Sequence, residues 1–299
     1  MTAPSPELQG LLEALQRAQA ASPEGALTLD ASTLTGAAGE ALLGVFNELQ
    51  LTSFTLSSDV VLPASLSGDV LVVRGAHQGL TVEITFEDLD DRDPAVRALF
   101  QAPQLRAITD AFSALPADFY AGIAVDGAAP SVTVPCVRGP LTLADATYGL
   151  EGTATDASGF VTYALQPCIE GQVSPPSGPR TLRITLPTPT SGFVLAPPEN
   201  AAWSFDDLGW LVPDLGLVAA IPSILPAHTL GLRAFSLSLW PDAPGLSSVT
   251  IDVADGADPS KALFSAADGK VELTDVSVAF DLTYDPRAPS LAQIGRAHV

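Results

Sequence analysis

Leu49-Gln-Leu51-Thr-Ser-Phe54-Thr-Leu56-Ser57 and Leu230-Gly-Leu232-Arg-Ala-Phe235-Ser-Leu237-Ser238 run alike, and in each the apolar period of two slips by one residue before the phenylalanine. A regular strand keeps every second residue on one face, so the slip asks for one extra residue, as a β-bulge supplies. A second pair shares its own defect. Leu141-Thr-Leu143-Ala-Asp145-Ala146-Thr-Tyr148-Gly-Leu150 and Val271-Glu-Leu273-Thr-Asp275-Val276-Ser-Val278-Ala-Phe280 both change phase at the aspartate, whose short side chain accepts backbone hydrogen bonds. Shared defects are a stricter signal than shared alternation and predict an internal repeat. Apolar helical segments, 37–49 and 215–225, precede the slipped strands. The expected fold is therefore α+β, mainly β: two related units of antiparallel strands with β-bulges, each preceded by a short apolar helix packing on the sheet.

Composition agrees with short strands and tight turns. Asp outnumbers Glu 23 to 11, and 26 prolines and 24 glycines supply turn formers throughout. Apolar residues make up 47% of the 299 and charged residues 16%, enough for packed cores. The formal charge of −21 speaks against a nucleic-acid partner, because phosphate binding needs clustered cations.

Residues 1–24 read as an amphipathic helix, capped by Ser5, with Pro6 at its first position and Leu8, Leu11, Leu12 and Leu15 in one stripe. The first β-rich unit takes 25–170, with a helix over Thr35–Glu48 and strands near 49–57, 67–74, 79–86, 119–125, 130–137, 141–154 and 159–166. A helical insertion is expected near 94–114, where Asp93 caps Pro94 and Val96, Leu99 and Phe100 recur at helical spacing. Seven prolines crowd 171–200, which reads as a linker around one strand, Thr181–Leu186. The second unit, 201–293, carries strands near 230–239, 247–253 and 270–284 and is expected to be incomplete.

The pattern Leu273-Thr-Asp275-Val276-Ser-Val278 resembles segments of very long, uncharacterised β-rich repeat proteins of bacteria, a resemblance that implies no activity and no functional residues. The terminal Ile294-Gly295-Arg296-Ala297-His298-Val299 resembles a translated sequencing adapter, which implies that 294–299 is an artefact on a truncated fragment. Ending near Gln293 would leave one edge of the 271–284 strand unpaired. Met1–Ser22 has neither the basic start nor the continuous apolar core of a secretory signal, and no stretch is long enough to span a bilayer. Cytoplasmic location is the default, and export would need a signal-independent route.

Motifs for nucleotide binding, zincin chemistry or a nucleophile elbow do not occur, and no cofactor is expected. The candidate metal site is Glu87, Asp88, Asp90, Asp91 and Asp93, a carboxylate-rich run suited to Ca²⁺ but lacking the EF-hand glycine and spacing. The competing reading is a loop opening a helix at Pro94, where acids are favoured. His77 sits in a turn-like Ala-His-Gln-Gly segment, and His228 with Asp214 and Ser223 is the set available to a hydrolase. Cys136 and Cys168 read as two buried thiols, or as one disulfide in an oxidising compartment. Trp203, Phe205 and Trp210 read as a core plug, with a ligand groove as the alternative. The expected function is a non-enzymatic structural or interaction module of a larger repeat protein, with neighbouring repeats or other proteins as partners. An apolar small ligand held in a helix–sheet groove at 215–225, and a hydrolase with an unassigned carboxylate or a His228-centred site, are the alternatives.

Overall fold

The computed structural model describes residues 5–57, 59–62, 70–87, 95–116, 118–126, 129–135, 137–157, 160–188, 191–198, 201–213, 230–239, 246–255, 264–266, 271–273, 278–283 and 292–296. In chain order, helix α1 (Pro6–Ala21) leads to β1 (Leu27–Leu29), helix α2 (Gly36–Glu48) and strands β2 (Phe54–Leu56), β3 (Val70–His77), β4 (Leu80–Glu87) and β5 (Ala95–Ala102). Helix α3 (Leu105–Ala111) precedes β6 (Ile123–Asp126), β7 (Ala129–Thr133), β8 (Pro140–Thr142), β9 (Ala144–Ala157), β10 (Phe160–Val173), β11 (Arg180–Thr185) and β12 (Phe193–Ala196). After helix α4 (Phe205–Leu211) come β13 (Leu230–Leu239), β14 (Leu246–Asp255), β15 (Phe264–Ala266), β16 (Val271–Leu273), β17 (Val278–Thr283) and β18 (Ala292–Arg296). The fold is α+β and mainly β, with antiparallel sheets. Two compact units divide the chain: Met1–Phe119 with Thr147–Cys168, and Tyr120–Ala146 with Ile169–Val299.

In the first unit, β3, β4, β5, β9 and the first part of β10 are neighbours in that order. The turn Gln78-Gly79 joins β3 to β4 with φ of 48° and 84°, the doubly positive pattern of a type I′ hairpin. Leu71, Val73, Val82, Ile84, Phe86, Val96, Ala98 and Phe100 alternate onto one buried face. Helix α2 lies on that face with Val45 against Gly152, so closely that a Cβ there would collide, and the Tyr163 ring meets Gly44 in the same way. The leucine stripe of α1 is buried as its spacing requires, each side chain contributing about 2 kcal/mol. Ser5 caps α1 through Glu7 N–H. Glu7 in turn caps α2: its Oε1 accepts from Ala38 N–H at 2.9 Å, where Thr35 makes no side-chain cap of its own.

Two expectations fail in this unit. Residues 49–51 are not strand. They close α2, with Gln50 at φ 56°, Gln50 N–H donating to Asn47 O at 2.9 Å and Leu51 N–H to Phe46 O at 2.8 Å, a Schellman motif without its usual glycine. The phase slip before Phe54 is therefore the passage from helix to strand and not a bulge. Residues 95–102 form strand β5 rather than a helix, because Val96, Ala98, Phe100 and Ala102 are buried at period two and pair β4 and β9 on either side. Only Leu105–Ala111 of the expected insertion is helical.

The second unit orders its main strands β11, β12, β13, β14, β17 and β18, with β10 beside β11 from Ile169 onward. A three-stranded sheet, β6-β7-β8, and a hairpin, β15-β16, complete it. Here β13 does carry a register shift, between Leu232 and Ala234, where its sequence slips. Yet β13 runs between β12 and β14, whereas β2 pairs β1 in a small two-stranded sheet, so the two matched segments hold different positions. Asp145 also sits at its predicted phase change, with φ 50°, while its counterpart Asp275 lies outside the described residues. The proline-rich stretch is no free linker: it holds the antiparallel pair β11–β12, with Leu182, Ile184, Leu186 and Leu195 buried. Within the expected strand over 270–284 lie β16, which pairs β15, and β17, which pairs β14 and, largely through residues 294–296 of the terminal segment, β18. The expected helix at 215–225 lies outside the described residues.

Candidate functional site at Asp207

The most buried acid among the described residues organises the start of α4. Ser204 Oγ accepts from Asp207 N–H at 3.2 Å, and the Asp207 carboxylate accepts from Ser204 N–H at 3.0 Å, a reciprocal capping box. Arg180, the first residue of β11, donates from Nε to Asp207 Oδ2 at 2.9 Å, and the Ser177 hydroxyl donates to Oδ1. The Asp207 side chain is 1% exposed and that of Arg180 28%. Burial pushes the Asp207 carboxyl up, but the hydrogen bonds from Ser177, Arg180 and Ser204 outweigh it and hold the group below its ordinary 3.8. A carboxylate ringed by donors in this way has both oxygens engaged and acts as an anchor for α4 rather than as a proton acceptor.

Aromatic residues reinforce that anchor. Trp203 is buried, donates from Nε1 to Thr181 O at 3.0 Å, and meets the Phe235 ring edge-on with centroids 5.0 Å apart. Arg138 lies over the Trp210 ring, 5.5 Å from its centroid, and donates its N–H to Leu211 O at 3.0 Å. Trp203 is a core plug, while Phe205 and Trp210 are half-buried.

Of the acidic candidates, Glu87 ends β4 half-buried, and Asp88, Asp90, Asp91 and Asp93 lie outside the described residues, as do His228, Asp214, Ser223 and Cys136. Ala95 opens a strand where the expected helix would run. Cys168 is buried, its Sγ packed against Gly149. His77 stacks on Phe54 with centroids 4.0 Å apart, and its Nδ1 lies 2.6 Å from Thr55 O. Beside it a cleft of about 270 Å³ is lined by Gln78, Gln104, Arg106, Ala107, Asp110 and Ala111, with Arg106 Nε paired to Asp110 Oδ2 at 3.2 Å. Among the described residues no three His, Cys, Asp or Glu side chains converge as metal ligands, and no helix is long and apolar enough to cross a membrane.

Ser204-Phe-Asp-Asp207 was open to recognition as a capping box, because its four residues are contiguous. Ser177 and Arg180 had no such signal: they reach Asp207 only through the packing of α4 on β11. A scan against protein-family models, a search of the curated proteins and a search of the solved structures each return no match.

Proposed function

We propose that this protein is a non-enzymatic structural or interaction module, acting through sheet surfaces it presents to neighbouring repeats or to other proteins. The observation that supports this reading is where its paired charges sit. Asp207 with Arg180, Glu151 with Arg97 and Glu83 with Arg74 each join different secondary-structure elements, so these ions tie strands and helix into a scaffold. The −21 charge directs the choice of partner away from nucleic acid. The test is a hydrolysis screen with the full chain, using 4-nitrophenyl esters and glycosides. Turnover no faster than in buffer is expected, and turnover lost on His228→Ala would overturn the reading in favour of a hydrolase.

A further inference from the structure

We propose that the cleft between the β3–β4 turn and α3 binds a free α-amino acid with a short polar side chain, held as its zwitterion. The site lies wholly within the first unit and goes beyond the module reading, which assigns the protein no small ligand.

The cleft has two firm walls. Helix α3 supplies one: Gln104, Ala107 and Ala111 follow at i, i+3 and i+7 along one side, with Arg106 and Asp110 beside them. Ile108 and Phe112 fix that helix from beneath, both buried, with the Phe112 ring edge-on to Phe100 at 4.9 Å. Gln78 forms the other wall, in a turn pinned between His77, which stacks on Phe54, and the buried Leu80. Its φ of 48° is left-handed, at a turn position where asparagine, aspartate or glycine is usual. Strained backbone of this kind clusters at ligand sites, and Gln78 lines a cleft.

The lining selects the ligand. At about 270 Å³ the cleft falls below the roughly 300 Å³ at which pockets for drug-sized molecules begin, so it suits a small one. One cation and one anion stand side by side in it, Arg106 Nε donating to Asp110 Oδ2 at 3.2 Å. That bond leaves both terminal NH₂ groups of Arg106 and Oδ1 of Asp110 without a partner among the described residues. An α-amino acid carries its ammonium and carboxylate on one carbon, so it can lie antiparallel to the pair, carboxylate on Arg106 and ammonium on Asp110. Its zero net charge matters in a chain of −21, whose field repels free anions. A sugar would find no aromatic platform, because the apolar lining is Ala107 and Ala111. The carboxamides of Gln78 and Gln104 make no hydrogen bond among the described residues and offer donors and acceptors to a polar side chain.

The probe is L-glutamine, titrated against the full chain and read by saturation-transfer NMR on the ligand. Saturable binding is expected with Kd about 1 mM, weak because the Arg106 and Asp110 side chains are 86% and 67% exposed. N-acetyl-L-glutamine lacks the ammonium and L-glutaminamide the carboxylate, and each should bind about fivefold more weakly. These two also stand for the C-terminus and the N-terminus of a peptide, so equal or tighter binding of either would overturn the free amino acid as occupant. Ala107→Leu fills the cleft and should abolish binding, and Arg106→Gln should weaken it about fivefold, the melting temperature holding in both. No saturable binding at ~10 mM L-glutamine, or binding that both variants leave unchanged, would overturn the site. Neither result bears on the module reading, which the hydrolysis screen tests.

Discussion

Gln50 holds a left-handed backbone, φ 56°, at the place where helices usually end on glycine. A side chain there strains against the following carbonyl, so Gln50→Gly should stabilise the protein by about 0.5 kcal/mol in urea unfolding, the relief being partly offset by the looser unfolded chain. Glu7 serves the opposite end of the same helix, and Glu7→Ala should lose about 1 kcal/mol, with Glu7→Gln keeping part of it because the amide oxygen still accepts from Ala38 N–H. Asp207 ties stability to pH. Its carboxyl is held below 3.8, so the stabilisation is present in full above that value and fades as pH falls through the lower folded-state value. Asp207→Asn should cost about 3 kcal/mol at neutral pH, because Arg180 loses its charged partner, and should flatten the acid limb of stability followed by tryptophan fluorescence. Ser5, Pro6 and the leucine stripe were legible in the sequence because each is a pattern contained within one helix. Gln50 was not, since nothing in a glutamine announces a left-handed backbone.

Strand β5 shows how one stretch satisfies two periodicities. Val96, Leu99 and Phe100 lie at helical spacing, while Val96, Ala98, Phe100 and Ala102 lie at strand spacing, and burial follows the second set while Leu99 is also buried. The alanines were the ambiguous letters: counted as apolar they favour the strand, counted as helix formers they favour the helix. The pairing of β5 with both β4 and β9 decides it, and that information lies outside the segment. The closeness of α2 to this sheet is open to a direct check. Gly152→Ala should cost about 2 kcal/mol by pressing on Val45, and Val45→Ala added to it should destabilise by less than the sum of the two single changes, as a double-mutant cycle would measure. The shared phase slips read as a repeat because a helix cap and a β-bulge leave the same mark on apolar spacing. One slip is Gln50 turning the chain out of α2, and the other is the register shift after Leu232.

Across the whole molecule, alternation and turn chemistry made the mainly β class legible, whereas the division of the chain into units was not. The first unit is built from Met1–Phe119 and Thr147–Cys168, with residues of the second between them. That excursion leaves no local trace, because it depends on β9 returning to pair β5 from Ala95↔Thr155 to Ala102↔Tyr148. A chain ending at Phe119 should therefore aggregate and melt without cooperativity, and co-expression of a segment covering β9 and the start of β10 should restore a sharp transition by circular dichroism. The same interleaving sets a timetable for synthesis. On the ribosome the first unit's hairpin of β3 and β4 emerges early, but β5 waits beside an absent neighbour until translation has passed Ala157, the end of β9. At about 5–20 residues per second that interval is on the order of seconds. During it the nascent chain carries an open, valine-rich and phenylalanine-rich sheet that chaperones would have reason to cover.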